Sequence, residues 1–316
     1  MEAEELVTII CITYNQEKWI EETLESVKEQ EYYYKELIIV DNGSTDRTVE
    51  RIKYWLSQNT SYLYVTTHFL EKTKPYCQLF NDYLIQAKGK YVVDLSGDDV
   101  LFPDHISKSV QELKTAPFAA FCFSDAYILN QINEISTFYP RNHAGELKEE
   151  ILLTNIYETL VKRNFICSPT QVFHTEILKR IGGYDEELFY EDFDVQVRLA
   201  RNYPLVFSDH IGVLKRKHSS SMSEGQYKRY DSKMLPTTVK VCLKIEAMNQ
   251  TAEEDKALGE RVMYELKHAL WSANFDPARE LVELGGRIGI RGLRFKWYRL
   301  WAKKRWDISW LYEKLT

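Results

Sequence analysis

Leu37-Ile38-Ile39-Val40-Asp41-Asn42-Gly43-Ser44-Thr45-Asp46 is the stretch on which the fold turns. Four apolar residues in a row, three of them β-branched and with no polar alternation, read as a strand covered on both faces. The run stops in turn-forming residues, and an amphipathic helix through Ile52 and Trp55 follows, capped near Ser44 or Thr45. Upstream, Leu6–Ile12 reads as a second buried strand, and Glu17–Gln30 as a helix with Trp19, Ile20, Leu24 and Val27 on its inner side. Downstream come a strand at Tyr62–Thr66, a helix at Cys77–Ala87 and a strand at Tyr91–Leu95. Strands alternating with helices of about 10–14 residues predict an α/β fold with a mostly parallel sheet.

After Asp99 the alternation loosens. Phe118–Phe123 reads as a strand, Lys148–Lys162 and Glu191–Asn202 as helices, and Leu205–Phe207 and Gly212–Lys215 as two strands. Beyond Ser223 the pattern is nearly all helical, at 224–247, 254–273, 276–284 and roughly 290–304. This predicts an α/β domain over 1–223 and a helical C-terminal region over 224–316.

The 316 residues are 44% hydrophobic and 28% charged, enough to bury a sizeable core. The net charge of −6 is unevenly spread: residues 287–316 hold nine Lys/Arg against Asp307 and Glu313, so this tail is +7 and the rest −13. Cys11, Cys77, Cys122, Cys167 and Cys242 are scattered, with no zinc or disulfide spacing, as a reducing compartment leaves them. Glu2, Glu4 and Glu5 stand where a signal peptide needs positive charge, and no run reaches the ~20 apolar residues of a membrane span. The expected location is the cytoplasm, with the inner membrane face as an extension of it.

Ligands of open α/β sheets bind at the carboxyl ends of the strands. Here those ends are Thr13-Tyr14-Asn15, Asp41-Asn42-Gly43-Ser44 and Ser96-Gly97-Asp98-Asp99. Alone, Asp-Asn-Gly-Ser is turn chemistry and adjacent acids are a solvated loop. Three polar clusters on one sheet edge make a candidate site.

Ile9-Ile10-Cys11-Ile12-Thr13-Tyr14-Asn15, the 37–46 stretch and Gly89-Lys90-Tyr91…Asp98-Asp99 closely resemble the family 2 glycosyltransferases. Gly182-Gly183-Tyr184-Asp185-Glu186, Glu191-Asp192-Phe193-Asp194…Arg198-Leu199 and Lys215-Arg216-Lys217-His218-Ser219…Ser221 extend the match to about residue 223. The resemblance implies a GT-A fold and inverting transfer of a sugar from a nucleotide-sugar donor, with UDP the first expectation. By it, Thr13, Tyr14 and Asn15 cradle base and ribose, and Asp41 accepts from the base. Packing of Tyr14 on the next helix, and a capping role for Asp41, are the alternatives.

Asp98 and Asp99 match the family's metal acids for Mn²⁺ or Mg²⁺, hard cations that neutralise a departing diphosphate. Family members commonly carry another Asp two residues before Asp98; this chain has Ser96, so the division of roles within the pair stays open. His218 is the third metal candidate and Arg216 a phosphate partner. Asp192 matches the general base that takes the acceptor's proton; its alternative is helix N-terminal electrostatics. Asp94 reads as structural. Phe80 stands where members often have Arg.

Processive synthases carry Gln-x-x-Arg-Trp; before Arg305-Trp306 this chain has Ala302. Single-sugar transfer to a saccharide or lipid-linked acceptor, as in surface polysaccharide or glycolipid assembly, is therefore expected. A retaining transferase or a nucleotidyltransferase on a similar fold is the enzymatic rival, and an inactive nucleotide-sugar-binding or scaffold subunit the other. Gly285-Gly286…Gly289…Gly292 follows a helix and reads as a hinge rather than a dinucleotide loop. Residues 287–305 contain eight Lys/Arg and no acid, interleaved with Phe295, Trp297, Tyr298 and Trp301. Two readings of this segment stand: an interfacial helix on an anionic membrane, extending to 312, or aromatics packed on the protein. The acidic body speaks against nucleic acid.

Overall fold

The computed structural model describes residues 5–59, 64–219 and 221–312. Glu2, Glu4, Tyr62, Leu63, Glu313 and Lys314 lie outside them. In chain order the elements are β1 (Val7–Thr13), α1 (Ile20–Lys28), β2 (Lys35–Asp41), α2 (Thr48–Gln58), β3 (Tyr64–Phe69), α3 (Tyr76–Leu84) and β4 (Tyr91–Ser96). Next come β5 (Val100–Leu101), α4 (His105–Thr115), β6 (Phe121–Leu129), β7 (Ile135–Thr137), α5 (Ile156–Lys162), β8 (Val172–His174) and α6 (Thr175–Arg180). The chain continues through α7 (Asp192–Asn202), β9 (Val206–Arg216), α8 (Met234–Met248), α9 (Ala252–Trp271), α10 (Phe275–Arg287), α11 (Leu293–Lys304) and α12 (Ser309–Tyr312).

These elements form two compact units. The first runs to Thr154 and adds Ile166–Glu186 and Asn202–Lys217. The second gathers Asn155–Phe165, Glu187–Arg201 and the chain from His218 on.

All the strands among the described residues belong to one sheet in the first unit, ordered β3-β2-β1-β4-β8-β6-β9-β5, with β7 on β6. The sheet is mixed, and its four longest pairings, β1 with β2, β1 with β4, β2 with β3 and β6 with β9, are parallel. β1 is buried along its whole length, which explains its unbroken apolar sequence. Ile9, Cys11, Ile39, Val93 and Leu95 meet Leu24 and Val27 of α1 and Ile106 and Val110 of α4 in the main core. Each such side chain contributes about 1.5–3 kcal/mol when fully buried. Because the chain leaves β1 for β2 on one side and later inserts β4 on the other, the carboxyl end of β1 is a topological switch point, where a crevice opens.

Several expectations are corrected. The helix expected over Lys148–Lys162 exists only as α5, because Asn155 takes a left-handed conformation (φ 54°) that starts it at Ile156. Leu205–Phe207 and Gly212–Lys215 are parts of one strand, β9, held continuous by pairing with β6 across an irregular register. Helix α2 starts at Thr48 rather than near Ser44 or Thr45; the Asp46 carboxylate accepts from the Thr48 N–H (2.9 Å). Gly285 and Gly286 lie inside α10, and a Cβ on Gly285 would come within 2.7 Å of the Phe295 ring. Close helix packing, not a hinge, accounts for the first half of that glycine cluster; Gly289 and Gly292, both at positive φ, form the turn into α11.

In the second unit, α7 is tied to the helices that follow. Buried Asp194 accepts from Arg198 Nε (2.7 Å) and Lys244 Nζ (2.8 Å). Arg201 pairs with Glu254 (2.6 Å), which also completes the capping box at the start of α9. Arg261 lies over the Phe193 ring (4.4 Å) and donates to Glu265 (3.0 Å). The aromatics of α11 divide: Phe295, Tyr298 and Trp301 are buried, whereas Trp297 is half exposed. Among the described residues no helix is long and apolar enough to cross a membrane.

Candidate active site

Parallel pairing sets Thr13 beside Asp41, so the ends of β1 and β2 form one ledge. The Asn42 N–H donates to the Thr13 carbonyl (2.8 Å). Asp41 is buried; its Oδ2 accepts from the N–H groups of Gly43 (3.1 Å) and Ser44 (2.9 Å). Its Oδ1, equally buried, has no partner. A buried carboxylate oxygen without a donor costs free energy unless a ligand supplies one. Asn15, at φ 53°, bridges the two strand ends: its N–H donates to Ser44 Oγ (2.9 Å) and its Oδ1 accepts from the Thr45 N–H (2.8 Å). Tyr14 is 48% exposed.

On the other side of β1, β4 ends at Ser96 and leads directly to the acid pair. Asp98 and Asp99 are both buried. Asp98 Oδ1 accepts from Ser96 Oγ (2.5 Å) and Asp99 Oδ1 from the Arg216 N–H (3.0 Å). Burial, then the neighbouring charge of Asp98, pushes the Asp99 carboxyl up to about 7; Lys215 and Arg216 counter this only in part. β9 brings Arg216 here by pairing with β5, immediately after Asp99. Its guanidinium donates to the Asp98 carbonyl (2.6 Å) and to Glu22 (2.6 Å), so it clamps the acid loop against α1.

Sequence reasoning missed the groups that hold this loop. Thr13 Oγ1 donates to Gln16 Oε1 (2.7 Å), Gln16 Nε2 to Ser96 Oγ (3.4 Å) and Ser96 Oγ to Asp98, a polar chain from the β1 end to the acids. Gly97 must lack a side chain, since a Cβ there would lie 2.5 Å from Gln16 Oε1 and 2.7 Å from Thr13. Thr23 and Ser26, polar residues on the inner face of α1, bond the Gly97 carbonyl (3.0 Å) and the Leu101 N–H (3.1 Å). Asp94 accepts from the hydroxyls of Tyr76 (2.6 Å) and Tyr184 (2.8 Å), and burial raises it to about 6 despite both bonds. Phe80 stacks on Tyr184 (4.3 Å), and Asn81 bonds the Tyr184 main chain, which fixes the Gly-Gly-Tyr-Asp-Glu turn.

Thus Thr13, Tyr14, Asn15, Asp41, Asp98, Asp99 and Arg216 share one sheet edge in the first unit. Asp192 and His218 belong to the second unit. Asp192 is the first residue of α7, and its Oδ1 accepts from the Phe193 N–H (2.6 Å). The His218 N–H donates to Ser221 Oγ (2.9 Å). Among the described residues no three His, Cys, Asp or Glu side chains are grouped as a metal site. An all-oxygen pair of buried acids, one raised by burial and then by its neighbour's charge, nonetheless suits a hard cation that takes its remaining ligands from phosphate.

A mixed, mostly parallel sheet with buried carboxylates at the ends of β2 and β4, followed by a helical C-terminal region, has the GT-A fold. The sequence profile of glycosyl transferase family 2 matches residues 8–182, and the chain belongs to that family. It is 27% identical over 196 residues to the poly-beta-1,6-N-acetyl-D-glucosamine synthase of Staphylococcus epidermidis, an overlap covering 61% of this chain and 45% of that one. It is 25% identical over 201 residues to an uncharacterized glycosyltransferase of Methanocaldococcus jannaschii, covering 62% and 65% of the two. The chain thus spans about half the length of the synthase. Among solved structures, Staphylococcus aureus TarS 1–349 in complex with UDP-GlcNAc superposes with a TM-score of 0.71 at 18% identity, over 98% of this chain and 91% of that one. The mannosyltransferase PcManGT from Pyrobaculum calidifontis, in complex with GDP-Man and Mn²⁺, does so at 0.60 and 17%, over 96% and 85%.

Proposed function

We infer that the protein moves a single sugar from a UDP-sugar to an acceptor hydroxyl with inversion. The observation that carries this reading is the buried, unpartnered Oδ1 of Asp41 at the carboxyl end of β2. Uracil's imide N–H is a donor of the right kind for it, while Thr13, Asn15 and the exposed Tyr14 ring take ribose and the base face. Catalysis is assigned to residues 1–223, with 224–316 as its helical support. Asp98 and Asp99, joined by His218, would hold Mn²⁺ or Mg²⁺, which when bound offsets charge on the diphosphate. Arg216 sets the position of both acids and adds a cation beside them.

Asp192 takes the proton of the acceptor hydroxyl as its oxygen attacks the anomeric carbon. The bond from that carbon to the diphosphate oxygen breaks, and its electron pair leaves with UDP. Attack opposite the leaving group inverts the centre. A saccharide or lipid-linked acceptor fits the family's link to polysaccharide synthesis, with residues 287–312 set against an anionic membrane and no role for nucleic acid. The test is UDP release from UDP-sugars by the purified chain with Mn²⁺, and the anomeric configuration of the product. Binding without release in the presence of acceptors would assign the alternative, an inactive binding subunit. A product of retained configuration would remove the inverting mechanism.

A further inference from the structure

The side chains of α11 divide into a buried face and an exposed one. Phe295, Tyr298, Trp301 and Ala302 are buried, packing against α9 and α10. Leu293, Trp297 and Leu300, spaced i, i+4, i+7, form a ridge on the opposite face and are 84%, 51% and 41% exposed. Trp306 packs on Trp297 (5.4 Å) and is itself exposed, extending the ridge past the helix end. A cleft of about 610 Å³ runs between α10 and α11 beside this ridge, lined by Arg279, Arg299, Lys303 and Arg305 with Glu283 as its one acid. Arg305 is paired with Asp276 (2.9 Å). Arg279, Arg299 and Lys303 enter none of the ion pairs among the described residues.

We propose that the α10–α11 cleft binds the phosphate of an anionic phospholipid while the Leu293–Trp297–Leu300 ridge enters the membrane interface. The proposal rests on the reading that residues 287–312 meet a membrane, and adds the lipid site and its orientation. Unpaired cations beside an apolar, aromatic ridge complement a surface that is negative at its headgroups and apolar beneath them. No acid lies on α11 to repel that surface. A nucleic acid would match the cations but not the aliphatic ridge, and the acidic remainder of the chain would oppose it.

The test is co-sedimentation of the full chain with phosphatidylcholine vesicles, with and without phosphatidylglycerol, at low and high salt. Wild type should bind only the anionic vesicles, and salt should weaken binding. Each basic residue near such a surface is worth about fivefold in binding. The Arg279→Glu/Arg299→Glu/Lys303→Glu variant should therefore bind at least roughly a hundredfold more weakly. Trp297→Ala/Leu300→Ala should weaken binding about tenfold or more and abolish any blue shift of tryptophan fluorescence. Both variants should release UDP as wild type does in the absence of vesicles, which shows that they fold.

If wild type ignores anionic vesicles at low salt, the membrane reading and the lipid site fall together. If the charge-reversed variant binds as wild type does, the lipid site alone falls. Displacement of wild type from vesicles by millimolar glycerol phosphate would show a soluble phosphate ligand and overturn the proposal. So would single-stranded RNA binding that outcompetes the vesicles and depends on the same three cations.

Discussion

Replacing Asp41 by Asn changes one atom and inverts one hydrogen bond. Oδ2 of Asp41 accepts from two main-chain N–H groups, so the amide oxygen of the variant must stay there to keep the turn. The NH₂ then occupies the place of Oδ1, and an acceptor facing the nucleotide becomes a donor. A hydrogen bond to a charged group is worth about 1.5–3 kcal/mol, so UDP should bind roughly 10- to 150-fold more weakly. The fold should hold, because both turn bonds survive; the unfolding midpoint without ligand should move by only a few degrees. The same exchange should improve the relative binding of CDP, since cytosine carries an acceptor at the ring position where uracil has its N–H. Calorimetric titration of wild type and variant with UDP and CDP measures all of this. Unchanged UDP affinity in a folded variant would refute the assignment of Asp41 to the base, and an equal loss for both nucleotides would refute the orientation argued for its amide.

Asp98→Asn or Asp99→Asn should abolish the stabilisation that Mn²⁺ gives in the presence of UDP, read by thermal shift, and chelator should do the same to wild type. Full turnover in excess chelator would remove the metal from the account. Asp192→Asn should leave donor affinity within about threefold and lower turnover by roughly 10²–10⁴; collapse of donor affinity would make it a donor ligand instead. His105 and His210, buried side by side with ring nitrogens 3.3 Å apart, are held by burial far below the usual histidine range, at about 3 and about 4. The unfolded chain therefore takes up these protons first, and their contribution is full above about pH 6.5 and lost as pH falls, by about 2 kcal/mol each near pH 5. Asp94 and Asp99, raised to about 6 and about 7, act in the opposite sense. The effect is accordingly read as a difference: between pH 7 and pH 5, His210→Gln should lose about 2 kcal/mol less stability than wild type in urea titrations. Parallel pH profiles would contradict the burial argument.

The α/β half was legible because β1, β2 and β4 are apolar and largely buried, and each strand from β1 to β4 is separated from the next by a helix with its own period. After Asp99 the long elements, α7, β9 and the C-terminal helices, were still legible, and the short ones were not. β5, β7 and β8 have two or three residues, too few to show a period, and exist only through pairing with β9, β6 and β4. Helix α4 was overlooked although Ile106, Val110 and Leu113 carry helical spacing, because His105, Ser107 and Ser109 break the pattern; His105 and Ser109 prove buried. The acids of the site could be found at strand ends, and the family resemblance gave them roles. Gln16 and its bond to Ser96 could not be found that way, since the two residues lie eighty apart in sequence. Likewise, that α7 belongs with the later helices follows from two pairs that meet in space, Asp194 with Lys244 and Arg201 with Glu254, which no local pattern records.

The most direct test of the account is a nucleotide-release assay on the purified chain with a panel of UDP-, GDP- and other nucleotide sugars, Mn²⁺, and saccharide acceptors. The account predicts that one UDP-sugar is consumed, that release rises with acceptor, and that both Asp41→Asn and Asp192→Asn suppress it, the first through binding and the second through turnover. Absence of release from any donor, or release unaffected by either substitution, would contradict it.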